Sequence, residues 1–161
     1  DCGFESTIDT NQYTGLTALE GETVDVLTNG NVVSSNSVAS GIITLTSSVA
    51  SQIVHVGLPY DSTLQTTRLR TGSAWGENVG LKMNIPKVYA WLHETIGGKI
   101  GPTETNTNAI SYDSDSDLTT DLVEVALPSY HNEDGYLWVI QDDPLPMTLL
   151  ALSPEVKMGE R

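Results

Sequence analysis

The stretch VYAWLH, residues 88–93, decides the fold because its apolar side chains recur at every second position. Val88, Ala90 and Leu92 fall on one side of an extended chain, whereas the residues between them fall on the other. The same period of two returns at Val123, Val125 and Leu127 and at Tyr136, Trp138 and Ile140. The chain is therefore predicted to be all-β.

Turn signals separate these alternating runs and divide the chain. Asn29-Gly30, Gly97-Gly98 and Asp134-Gly135 supply residues that accept the positive φ of hairpin turns. We predict a lead-in segment over residues 1–14 and a small β-barrel-like unit over 15–60, with strands near 22–27, 31–34, 42–46 and 51–56. An antiparallel β-sheet or sandwich unit is predicted over 61–161, with strands near 64–70, 82–95, 122–126, 136–141 and 147–152. We expect a bend at Pro86 and an exposed acidic loop near residues 104–121.

The charge is strongly acidic and unevenly spread. Among 161 residues there are 21 acidic and 7 basic side chains, which gives a net charge of −14. This charge argues against nucleic-acid binding, which requires Lys and Arg side chains to neutralise the phosphates. No apolar run approaches the roughly 20 residues of a membrane helix. Cys2 is the sole cysteine, so no intrachain disulfide can form. The chain begins with Asp1 and carries no export signal, so we expect it to be part of a longer protein.

The stretch QIVHVGLPYDSTLQTTRLR, residues 52–70, lies in the longest region with almost no charge. Between Val26 and Thr67 the only charged side chain is Asp61. Gly57 and Pro59 redirect the chain here, so the stretch is predicted to join the two β-units. An uncharged strand edge left in water invites pairing with other strands. We therefore expect this region to be buried between the units or between subunits.

One acidic segment has the spacing of a calcium-binding loop. Its carboxylates occupy positions 1, 3, 5, 9 and 12 of the pattern, at Asp113, Asp115, Asp117, Asp121 and Glu124. However, Leu118 stands where the sharp turn requires glycine, and no helix is predicted on either flank. A solvated acidic loop is therefore the preferred interpretation, and we predict no metal site.

Catalytic and cofactor chemistry has little support in the sequence. His55, His93 and His131 stand apart without a second ligand at metal-binding spacing, and His93 is expected to be a half-buried packing residue. No Gly-x-Ser-x-Gly nucleophile elbow occurs, so no catalytic residue is assigned. The tryptophans Trp75, Trp91 and Trp138 are explained either by packing across a sheet or by a stacking surface for sugars. We predict that the chain is not an enzyme and needs no cofactor.

Four ordered blocks carry a resemblance that covers most of the chain. They are GLTALEGETVDVLTNG (15–30), IVHVGLPY (53–60), VYAWLHETIGGKIGP (88–102) and IQDDPLPMTLLALSPEV (140–156). Together they resemble the C-terminal region of the tail nozzle proteins of short-tailed bacteriophages, also called tail tubular protein B. The first block is similar to a small β-domain of ubiquitin-activating enzymes, a likeness of fold that implies no ubiquitin chemistry.

This resemblance implies a structural role in the virion, within the phage tail. It implies self-association into a ring, contact with the portal adaptor, possible contact with the host envelope, and a channel for genome ejection. Acidic side chains lining such a channel would repel DNA, and no specific nucleic-acid binding is expected. The candidate lumenal acids are Asp113, Asp115, Asp117, Asp121, Asp142 and Asp143. The alternative is a receptor- or glycan-binding module of a tail protein, in which the aromatic residues are exposed.

Overall fold

The computed structural model describes residues 2–6, 10–49, 52–70, 72–73, 76–77, 82–112, 117–128, 131–132 and 135–158. This part of the chain forms β-strands and one 3-10 helix, Thr17–Leu19, and contains no α-helix. The all-β prediction is therefore confirmed. The strands fall into two compact units, Asp1–Tyr60 with Asp142–Leu145, and Asp61–Gln141 with Pro146–Arg161.

The first unit is built from two antiparallel sheets and is not a closed barrel. Its strands are β1 (Cys2–Ser6), β2 (Thr10–Thr14), β3 (Thr23–Thr28), β4 (Asn31–Ser37), β5 (Ile42–Val49) and β6 (Gln52–Gly57). Four of them form a sheet in the order β1-β6-β3-β4, and β2 pairs with β5. Apolar side chains from both sheets form one core: Tyr13, Leu16, Val24, Val26, Val38, Ile43, Leu45, Val54 and Val56.

The β3–β4 hairpin forms where the sequence predicts it. Its turn residues Asn29 and Gly30 have φ angles of 48° and 82°, values that asparagine and glycine adopt more readily than other residues. The Asn29 side chain also accepts a hydrogen bond from the Ile53 amide at 3.0 Å. This bond ties the turn to the neighbouring strand β6.

A second turn of the first unit is closed by a carboxylate. Ser40 and Gly41 both have positive φ, and their amides donate to the two oxygens of Glu20 at 2.7 and 2.5 Å. A Cβ added at Gly41 would lie 2.8 Å from the Thr17 side chain, so this position requires glycine for space as well as conformation. The Glu-Gly pair of the first quoted block therefore has a defined structural role through Glu20.

Residues 1–14 do more than lead into the first unit. They contribute β1, which pairs with β6 from Cys2 to Ser6, and β2, which pairs with β5. The partners of both strands lie about 30 to 50 positions away in the sequence, so local patterning gives no sign of these pairings.

The second unit contains two larger sheets and one small strand pair. Its strands are β7 (Ser62–Gln65), β8 (Gly72–Ser73), β9 (Gly76–Glu77), β10 (Met83–Leu92), β11 (Lys99–Thr103), β12 (Asn106–Ala109), β13 (Leu122–Ala126), β14 (His131–Asn132), β15 (Trp138–Gln141) and β16 (Leu149–Met158). In one sheet β10 is central, with β13 and β14 on one side and β16 on the other. The other sheet has the order β12-β11-β15-β7, and β8 pairs with β9.

Both larger sheets supply the core of the second unit. Val88 and Leu92 of β10 belong to the same buried cluster as Ile100 of β11 and Val139 of β15. The alternation of buried and exposed residues along β10 is the one read from the sequence. This arrangement agrees with the predicted sheet or sandwich unit.

Proline positions follow from the missing amide hydrogen. The β10–β16 register shifts between Asn84 and Lys87, around Pro86, where the sequence predicts a bend. Pro154 lies opposite Val88 in β16, which is at the outer side of its sheet. Proline is tolerated there because the unpaired side of an edge strand needs no donor.

The predicted acidic loop near residues 104–121 is partly wrong. Asn106–Ala109 forms β12 and pairs with β11, which begins at Lys99 directly after Gly97 and Gly98. The polar sequence of β12 reads as a loop because β12 is an edge strand with half-buried or exposed side chains. Strand limits also differ elsewhere: β7 ends at Gln65 instead of Arg70, and β16 continues to Met158.

Candidate binding face and the predicted acidic residues

The side chains of β10 that point away from the core form an exposed sheet face. Lys87, Tyr89 and Trp91 alternate with the buried Val88 and Ala90. Their cross-strand neighbours are Ala126, Glu124 and Leu122 on β13, and Glu155, Ser153 and Ala151 on β16. We call these nine residues the β10 face.

One end of the β10 face is apolar and open. The Trp91 side chain is 50% exposed, and its neighbour Leu122 is 40% exposed. Ala151, on the other side of Trp91, is also exposed and leaves little bulk beside the indole. An exposed indole between small or aliphatic neighbours offers a flat surface on which a ring can stack.

The other end of the β10 face is charged and internally paired. The Lys87 Nζ lies 3.3 Å from a Glu124 oxygen and 3.6 Å from a Glu155 oxygen, and 5.0 Å from the centre of the Tyr89 ring. Tyr89 and Lys87 hold the pKa of Glu124 below its usual value, and Tyr89 and Glu124 raise the pKa of Lys87. Both shifts favour the charged forms, so Lys87 and Glu124 form an ion pair at neutral pH.

The calcium ligand set is not assembled by the described residues. Asp113 and Asp115 lie outside them, while Asp117 and Asp121 are exposed and Glu124 contacts Lys87. Asp121 accepts a hydrogen bond from the Leu122 amide at 2.7 Å, a local bond within its own turn. Across the described ranges, no three His, Cys, Asp or Glu side chains lie close enough together to hold a metal ion.

The lumenal candidates are divided between the two units. Asp117 and Asp121 precede β13 in the second unit, whereas Asp142 and Asp143 belong to the first. Asp143 is exposed and its carbonyl accepts a hydrogen bond from the Leu145 amide at 2.7 Å; Asp142 is half-buried. Of the six candidates, Asp113 and Asp115 lie outside the described residues.

The aromatic and histidine predictions have mixed outcomes. His93 is exposed, with its Nδ1 3.4 Å from the Thr120 hydroxyl, so the expectation of a half-buried packing residue is wrong. Strand β10 ends at Leu92, and the His93 amide just beyond it still donates to the Thr148 carbonyl at 3.0 Å, so the backbone of His93 is held while its side chain is exposed. Trp138 is half-buried on β15, and Trp75 lies outside the described residues.

Sequence reasoning did not single out Lys87. This lysine connects two neighbouring strands because it lies opposite Glu155 and diagonal to Glu124. The sequence does contain a sign of this arrangement. Lys87, Tyr89 and Trp91 are alternate residues of one strand, so the cation lies on the same face as the two aromatic rings.

Comparison with known proteins adds no relative. The chain matches no protein-family model, and no curated protein is significantly similar to it. In the part of the chain that the structure describes, no helix is long and apolar enough to cross a membrane. The fold defines a two-unit, antiparallel all-β protein, and the resemblance to tail nozzle proteins stays a prediction from the quoted residues.

Proposed function

We propose that this chain is a non-enzymatic structural module of a short-tailed phage tail, within the nozzle, acting in tail assembly and genome ejection. The observation that supports this proposal is that the quoted blocks contain the residues on which the fold depends. Val24, Val26, Val54 and Val56 are buried in the first core, and Glu20 closes a turn of the same unit. The residues that carry the resemblance therefore have structural roles in the fold, as is expected of a structural protein in an assembly.

The proposed partners are other copies of the chain in a ring, the portal adaptor and the host envelope. The ring surrounds a channel, and the acidic surface faces the passing genome. Asp117, Asp121 and Asp143 are exposed, as residues in such a role must be. With a net charge of −14, the chain has far too few cations to hold DNA phosphates, so DNA slides without being retained.

The location is tested in the virion. Antibody labelling or cryo-microscopy of phage particles carrying this chain is expected to place it at the lower end of the tail. Finding the chain outside the tail, or turnover of a substrate by the purified chain, contradicts the proposal.

The lumenal charge is tested by reversing it. Replacing both Asp117 and Asp121 by Lys is expected to slow genome exit, because the new cations attract the passing phosphates. The measurement is the rate of DNA release from purified particles at low and high salt. The control carries Glu22→Lys and Glu104→Lys, which change the net charge equally at two other exposed acids. Equal release rates in both variants contradict a lumenal position for Asp117 and Asp121.

A second candidate function is glycan binding, which one observation favours. Trp91 is half exposed on the β10 face beside Tyr89, the arrangement expected of a stacking surface for sugar rings. Glycan-array binding that disappears with Trp91→Ala, and persists with Trp138→Phe at the half-buried tryptophan of strand β15, would support this function. An array without signal would contradict it.

A further inference from the structure

Strand β7 is a short edge strand without a charge, a proline or a bulge. It is the last strand in the order β12-β11-β15-β7, and all four of its side chains are exposed. Natural edge strands are commonly guarded by charged residues, prolines or bulges. Strand β7, with the sequence STLQ, has no charge and no proline, and its pairing with β15 is unbroken.

The outer side of β7 carries backbone hydrogen-bonding groups that take no part in the pairing with β15. The Thr66 amide donates to the Leu137 carbonyl at 2.9 Å, and the register continues with Leu64 opposite Val139. In an antiparallel pair the backbone groups of successive residues point to opposite sides of the strand. The N–H and C=O groups of Leu64 therefore point towards β15, whereas those of Thr63 and Gln65 point outward. No other described residue bonds to these outward groups.

We propose that β7 pairs antiparallel with β7 of a second copy of this chain, about a twofold axis at Leu64. In this register Thr63 of each copy faces Gln65 of the partner subunit, which forms four backbone hydrogen bonds. Leu64 faces Leu64 of the partner subunit as a non-hydrogen-bonded pair, in which side chains approach closely. The Leu64 side chain, 49% exposed in the single chain, becomes covered.

The distribution of charge explains why a second copy would bind at β7 and not elsewhere on the surface. Two chains that each carry −14 repel one another over most of their surfaces. Between Val26 and Thr67, however, Asp61 is the only charged side chain. The proposed register places Asp61 opposite Thr67 of the partner subunit, so no like charges meet across the pair. A neutral and self-complementary edge is therefore the place where this acidic chain can associate with itself.

This contact is independent of the proposed phage function. A twofold contact closes with two copies, whereas a ring needs a head-to-tail contact between different surfaces. The twofold pairing is a property of the chain in solution, so its failure leaves the tail proposal untouched, and the reverse also holds.

The association is tested by sedimentation of the full chain over a wide range of protein concentration. The contact is small because β7 has four residues, so a weak monomer–dimer equilibrium is expected. Added salt is expected to strengthen it, since salt screens the overall repulsion and the contact itself is neutral. A chain that stays monomeric at every concentration and salt level overturns the proposal.

The register is tested by changing the residues that meet on the axis. Leu64→Lys places two cations face to face and is expected to weaken dimerisation about tenfold or more. Mixing Leu64→Lys with Leu64→Glu is expected to restore a heterodimer, because opposite charges then meet at the axis. Thr63→Pro removes one outward amide without touching the bonds to β15, and it is expected to weaken the dimer as well.

The matched control is Leu150→Lys, the same change at a side chain that is 64% exposed on β16. It is expected to leave the dimer unchanged. Circular dichroism verifies that each variant is folded. A dimer that survives Leu64→Lys and Thr63→Pro, or that fails to re-form from the Lys and Glu variants together, overturns the pairing at β7.

Discussion

Single polar side chains fix turns that strand pairing alone does not hold. Glu20 closes the turn at Ser40 and Gly41, and Asn29 joins the β3–β4 turn to Ile53. Charge-assisted bonds from a carboxylate to backbone amides are stronger than neutral ones, so Glu20 does more than shape its own Glu-Gly turn. The Ser40 and Gly41 amides lie 20 and 21 positions from Glu20, so no local pattern in the sequence identifies them as its partners.

The phenol of Tyr112 is expected to make stability depend on alkaline pH. Its hydroxyl donates to the Gly97 carbonyl at 2.6 Å, and burial raises the pKa of Tyr112 to about 12. An unfolded tyrosine titrates near pH 10. Between these values the unfolded chain releases the proton first, so the free energy of unfolding falls as the pH rises.

Tyr112→Phe removes both the hydrogen bond and this titration. At pH 8 the variant is expected to be about 1 kcal/mol less stable than the original chain. The difference is expected to shrink as the pH rises towards 11, because only the original chain loses the contribution of the protonated phenol. Urea unfolding at both pH values measures it. A stability difference that is the same at pH 8 and pH 11 contradicts the assignment.

At the scale of elements, the β11–β12 hairpin depends on a close backbone approach at Gly101. A Cβ placed there would collide with the Asn106 carbonyl oxygen and lie 2.6 Å from the Thr107 Cα. These are backbone atoms, so the hairpin must open to accept any side chain. Gly101→Ala is expected to destabilise the chain by about 1–3 kcal/mol.

Gly30→Ala is the control for Gly101→Ala. Gly30 has a φ of 82° but nothing within 4 Å of an added Cβ, so its substitution carries a conformational cost of about 1–2 kcal/mol without a collision. Hydrogen exchange at the amides of β11 and β12 is expected to accelerate in Gly101→Ala alone. Unchanged exchange there contradicts the steric argument.

Strands with strong alternation were predictable, and strands whose pairing is distant were not. β10 and β13 agree with the sequence because a half-buried sheet imposes a period of two on side-chain polarity. β12 reads as a polar loop because an edge strand needs little apolar surface, and β1 has a partner about fifty residues later. Local sequence patterns predict which side chains are buried, but they do not predict which strand pairs with which.

The candidate face was only partly predictable. The row of Tyr89 and Trp91 follows from alternation, but the choice between core packing and exposure depends on whether another layer covers that face. In the second unit Trp91 is half exposed. The contacts of Lys87 with Glu124 and Glu155 join three strands, and such register cannot be read from one sequence.

At the scale of the whole molecule, the acidic charge and the neutral region have different physical roles. A net charge of −14 keeps chains apart and disfavours contact with DNA. The charge-poor region contains strands β4, β5 and β6 and the edge strand β7. These strands carry almost no charge, so another acidic chain can approach them with little repulsion. The proposed dimer depends on the neutral region, whereas the proposed passage of DNA depends on the acidic charge.

The segment Asp142–Leu145 belongs to the first unit although the residues on either side belong to the second. The polypeptide therefore passes from one unit to the other three times, and no single cut separates them. A gene truncated after Tyr60 would encode the first unit without one of its own pieces. To produce the first unit alone, residues 142–145 would have to be joined to the end of residues 1–60 by a new linker.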